Sequence, residues 1–83
     1  MSYNIDQRKV AGVVIEANQS LNGKGFNHGE VVLGLAELLG RVIVEAVDNP
    51  IQAKELMKVA AGHIDSTVRI GAQARGKSII TEA

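Results

Sequence analysis

Across 83 residues, nine Lys and Arg balance nine Asp and Glu, so no net field draws the chain to nucleic acid or to an anionic membrane. The absence of cysteine excludes disulfide frameworks, thiolate metal sites and thiol nucleophiles. With 46% hydrophobic but 2% aromatic residues, any core must be aliphatic and alanine-rich, and the length suits a single domain over residues 1–83.

Residues 1–7 lack the basic and apolar regions of a signal peptide, and with the missing cysteines this suggests a cytoplasmic protein. Ile5, Val10, Val13, Val14, Ala17 and Leu21 recur at helical spacing, which predicts a first helix over residues 6–20 with Gln7, Arg8, Glu16 and Gln19 outward. The stretch 22–29 holds three glycines in eight residues and reads as a loop. Asn27, followed three residues later by Glu30, forms a capping-box start for a second helix.

That second helix is the most informative segment. Between residues 31 and 47 the only polar side chains are Glu37, Arg41 and Glu45, four residues apart and hence on one narrow stripe. The rest of its surface is aliphatic or glycine, so it must be buried on most sides, which one short chain cannot easily do. A homo-oligomer is the expected solution. The three charges and the length argue against a membrane span.

Asp48, Asn49 and Pro50 stop the second helix and begin a third. Asn49 is the expected cap, Pro50 the first helical residue and Gln52 the reciprocal capping position. The third helix runs over residues 50–74, with Ala53, Leu56, Met57, Ala60, Ile64, Thr67, Val68 and Gly71 as its apolar stripe. So short a link implies an antiparallel hairpin. The fold expectation is therefore all-α: a short N-terminal helix plus a long antiparallel helical hairpin, assembled as a homo-oligomer. Gly34, Ala36, Gly40, Ala60, Ala61, Gly62 and Gly71 would let helices approach closely.

Little in the chain points to catalysis. Residues 71–78 match the pattern G-x-x-x-x-G-K-S, but a phosphate loop needs a strand before it and a helix after it, and here a long helix precedes the match and five residues follow it. Arg75 and Lys77 are then simply cations at the negative end of a helix dipole. His28 and His63 have no carboxylate or cysteine cluster to complete a metal site, and Asp65, Ser66 and Thr67 lie too close in sequence to His63 for a nucleophile, base and orienter in line. No enzyme activity, cofactor or metal is expected.

The glycine-rich loop is the better candidate for binding. Phe26, the only phenylalanine, lies in it beside Lys24 and His28, and Tyr3, the only tyrosine, lies near Arg8 and Lys9. An aromatic face with a cation suits a nucleobase and its phosphate. The plainer alternative makes Phe26 a hydrophobic staple on Val31 and Tyr3 an anchor of the amino terminus.

The layout of three helices, the last two joined by a short Asp48-Asn49-Pro50 turn and the third ending in basic residues at Arg75 and Lys77, resembles the phage anti-CBASS sponges. The resemblance covers residues 29–77, with its strongest support over 48–75. It implies a helical hexamer without catalytic activity that sequesters the cyclic oligonucleotide messengers of bacterial anti-phage immunity in the host cytoplasm. It further implies cyclic dinucleotide sites between subunits, for which this chain offers Tyr3 and Phe26 to stack and Arg8, Lys9 and Lys24 as cations. Separate cyclic trinucleotide pockets on the long helices would use Thr67, Arg69 and Arg75. The alternative expectation is a structural or adaptor helical oligomer with no small-molecule ligand, and zero net charge makes nucleic acid a poor partner.

Overall fold

The computed structural model describes residues 4–76, and these form three α-helices with no strand among them: α1 (Gln7–Leu21), α2 (His28–Ala46) and α3 (Pro50–Ala74). Each starts where a short polar side chain can take up orphan N–H groups. Asp6 caps α1 through its Oδ1, which accepts from the Arg8 N–H at 2.9 Å. Asn49 caps α3, its Oδ1 accepting from the Gln52 N–H at 2.9 Å, with Pro50 at the first helical position.

The boundaries differ slightly from those the sequence suggests. Asp6 is a cap rather than a helical residue, so α1 is shifted by one residue to end at Leu21. The glycine-rich loop is shorter than 22–29, because capping by Asn27 places His28 and Gly29 in the first turn of α2. At α3 only half of the expected capping box forms: the Gln52 side chain does not return a bond to Asn49, and its buried Oε1 has no hydrogen-bond partner.

The chain divides into two compact units, Met1–Val42 and Ile43–Ala83. In the first, Val10, Ala17 and Leu21 form one half-buried stripe of α1, and Val31 is the half-buried residue of α2. Val13 and Val14, expected on the same inner face, are exposed. In the second unit Ile43 is 8% exposed, the most deeply covered hydrophobic side chain among the described residues. Val47 near it in sequence is half-buried, as are Ala53, Leu56 and Ala60 on one stripe of α3.

The apolar face expected of α3 therefore splits in two. Ala53, Leu56 and Ala60 are covered, whereas Met57, Ile64 and Val68, one step around the helix, are each more than half exposed. On α2, Leu33 is 73% and Val44 74% exposed, beside the Glu37–Arg41–Glu45 stripe.

Arg41 stands four residues from both Glu37 and Glu45, and it pairs with one of them. Arg41 Nη2 lies 2.7 Å from Glu37 Oε2, and no pair to Glu45 is present among the described residues. The orientation explains the choice, since an acid four residues before a base is the favoured order on a helix. No helix of the described residues is long and apolar enough to cross a membrane.

Candidate functional site

The connection between α1 and α2 is built by its glycines. Asn22 closes α1 by donating its N–H to the Asn18 carbonyl at 3.0 Å, and the Lys24 N–H donates to the Leu21 carbonyl at 3.3 Å. On either side of Lys24 the backbone turns into the left-handed region, with φ of 74° at Gly23 and 84° at Gly25. A Cβ at either glycine would meet nothing within 4 Å, so backbone conformation and not crowding is what requires glycine there. Lys24 thus sits between two forced bends of an exposed loop.

Phe26 follows directly, in the position before the Asn27 cap. It is 56% exposed, and it shares an apolar groove of about 470 Å³ with Leu21, Val31, Gly34, Leu35 and Leu38. Phe26 and Val31 are thereby on the same groove, as a hydrophobic staple requires, yet the ring keeps much of its surface open. Glu30 is the single charged residue of the lining, and its Oε1 accepts the Asn27 N–H at 2.9 Å. Its carboxylate is held at the helix start, where the positive end of the dipole favours it.

Arg8 and Lys9 lie apart from this groove, on an open depression of about 740 Å³ along α1 that also includes Gly12, Val13, Glu16, Ala17 and Ser20. Neither cation, nor Lys24, forms an ion pair among the described residues. Tyr3, the other expected stacking residue, lies outside the described residues.

The three residues expected for a second pocket are all on or at the end of α3, but one helix does not gather them. Thr67 and Arg69 are two residues apart and so about 200° around the axis, leaving on nearly opposite sides. Arg69 donates its Nε–H to both carboxylate oxygens of Asp65, at 3.0 and 3.2 Å, which compensates its charge while its terminal amino groups remain available. Arg75 is the C-cap: its N–H is shared between the Gly71 and Ala72 carbonyls at 3.2 Å, and Gly76 follows at a φ of 69°. A pocket using Thr67, Arg69 and Arg75 together needs more than one chain.

Gly71 to Ala74, the first half of the phosphate-loop match, belong to α3. Their N–H groups face along the helix and cannot converge on a phosphate. Lys77 and Ser78, which complete the match, lie outside the described residues. Among the described residues no group of three His, Asp or Glu side chains could hold a metal ion.

Sequence reasoning pointed to Phe26 and Lys24 but missed the groove beside them. Its signal was available: Val31, Leu35 and Leu38 share a face of α2, and Gly34 among them leaves space that a side chain would fill. No family model, curated protein or solved structure matches the chain.

Proposed function

We propose that this chain is a non-catalytic, homo-oligomeric binding protein whose ligand is a cyclic oligonucleotide messenger, held by the α1–α2 loop and the groove beside it. The observation that carries the reading is the half-exposed Phe26 ring, open to stacking, two residues after Lys24 on a backbone fixed by two left-handed glycines. Stacking a base on such a ring contributes about 1–3 kcal/mol and tolerates any base. A phosphate would take charge-assisted bonds from Lys24.

One chain offers this groove no lining cation, and a cyclic dinucleotide carries two charges. Assembly answers the deficit, since each added copy brings its own Lys24, Arg8 and Lys9 to a shared pocket. The exposed aliphatic side chains of α2 and α3 support assembly. The hexamer, the second pocket class at Thr67, Arg69 and Arg75, and sequestration in a host cytoplasm to block anti-phage signalling come from the resemblance in layout to phage anti-CBASS sponges, whereas the antiparallel α2–α3 hairpin rests on the short Asp48-Asn49-Pro50 link and the role of Tyr3 on its place near Arg8 and Lys9.

Calorimetric titration with cyclic di- and trinucleotides tests the reading, comparing the native chain with a Tyr3→Ala, Lys24→Ala, Phe26→Ala triple variant. Retained affinity in the triple variant contradicts it, because no other aromatic residue exists to stack a base. A second reading, a structural or adaptor oligomer without a small ligand, is favoured by the exposure of Leu33 and Val44 alone. It predicts the same assembly and no heat of binding.

A further inference from the structure

The exposed side of α3 is not an arbitrary apolar face. Lys54, Met57, Ala61, Ile64, Val68 and Gly71 follow one another at spacings of three, four, three, four and three, the 3.5-residue repeat of a coiled-coil seam. Met57, Ile64 and Val68 on it are more than half exposed. A depression of about 580 Å³ there is lined by Ile51, Lys54, Glu55, Met57, Lys58 and Ala61, and among these Lys54, Met57, Lys58 and Ala61 stand at i, i+3, i+4 and i+7. Four residues at i, i+3, i+4 and i+7 are the hole that receives a knob from a facing helix.

We propose that a second copy of this chain packs on this seam, α3 against α3 and antiparallel. The inference rests on the homo-oligomer reading and names its contact surface. Antiparallel pairing about a two-fold axis between Gly62 and His63 sets Lys54 opposite the partner's Gly71, Met57 opposite the partner's Val68, and Ala61 opposite the partner's Ile64. Each pair recurs with the roles exchanged, as an isologous interface requires. Large meets small: the Lys54 stem passes over a glycine, and Ile64 fills the space an alanine leaves.

Charge favours the same register. Flanking the seam, Lys58 comes beside the partner's Asp65, and the exchange places Asp65 beside the partner's Lys58. Asp65 already accepts from Arg69 and is therefore fixed on its helix before any partner arrives. Parallel pairing would instead set each seam residue against its own copy, Lys54 against Lys54 and Ala61 against Ala61, joining like charges at one layer and leaving a void at the other.

Cysteine cross-linking tests this directly, because the chain has no cysteine of its own. Met57→Cys and Val68→Cys are made singly and together in the full chain, oxidised, and run on a denaturing gel beside the native mass of the unmodified protein. Residues 57 and 68 are about 16 Å apart along one helix, too far for a bridge within a chain. The proposal expects a covalent dimer from the double variant and none from either single one. An unmodified oligomer whose double variant stays uncross-linked overturns this interface while leaving the oligomer reading standing. A covalent dimer from Met57→Cys alone means parallel pairing and overturns it too, and a monomeric native mass overturns both.

Discussion

Asn27 and Glu30 hold each other across the first turn of α2. The Glu30 N–H donates to Asn27 Oδ1 at 2.8 Å, and the Asn27 N–H donates to Glu30 Oε1 at 2.9 Å. Two orphan groups are satisfied at once, and the entry angle of the chain that carries Phe26 is set. Asn27→Ala is expected to cost about 1 kcal/mol, a fall in melting temperature of roughly 4–8 °C for a domain of this size. Asn27→Asp should recover most of it. Melting followed by circular dichroism at one protein concentration checks both, since assembly makes the midpoint concentration-dependent.

Gly25 extends the same argument to the loop. At a φ of 84° with open space around its missing side chain, Gly25→Ala should cost about 1–2 kcal/mol from backbone conformation alone. If the loop presents Lys24 and Phe26 to a ligand, affinity should fall by more than this variant's loss of stability accounts for. Calorimetry and thermal melting on the same sample separate the two.

Phe26→Ala isolates the stacking contribution. Loss of about 1–3 kcal/mol corresponds to a weakening of roughly 5- to 150-fold for a cyclic dinucleotide, with the helical signal unchanged because the ring is half exposed. An unchanged affinity would leave Phe26 as a staple on Val31 and nothing more.

Gly40 distinguishes a solitary helix from a packed one. A Cβ there meets nothing within 4 Å in the single chain, so Gly40→Ala should raise helix stability by about 0.5–1 kcal/mol in isolation. Where a second copy approaches α2 closely, the same change lowers the oligomer fraction instead. Sedimentation of the variant gives the sign, and assembly through α2 predicts the loss.

Nucleoside triphosphate turnover is expected to be undetectable, with Lys77→Ala without effect. Gly71 to Ala74 are helical, and the match to a phosphate loop lacks the geometry that would make it one. Phosphate release by the native chain, abolished by Lys77→Ala, would contradict this.

Local chemistry was the most legible part of the sequence. Asn49 and Pro50 started α3, Asn27 and Glu30 started α2, and the all-helical class followed from spacing alone. Faces were half legible. Periodicity puts Leu56 and Met57 on one broad stripe, but only the fold separates the half-buried Leu56 from the exposed Met57, since spacing says which residues share a side and not what covers it. Pairing was the least legible: Arg41 has a glutamate four residues away on either side and joins only Glu37, and Arg69 gives its Nε–H to Asp65.

Native mass spectrometry of the full chain, with and without a panel of cyclic di- and trinucleotides, tests the central claim most directly. The account predicts an oligomer that gains discrete ligand masses and releases the ligand chemically intact on denaturation. An oligomer that gains no mass contradicts the binding function, and a monomer contradicts the assembly on which that function depends.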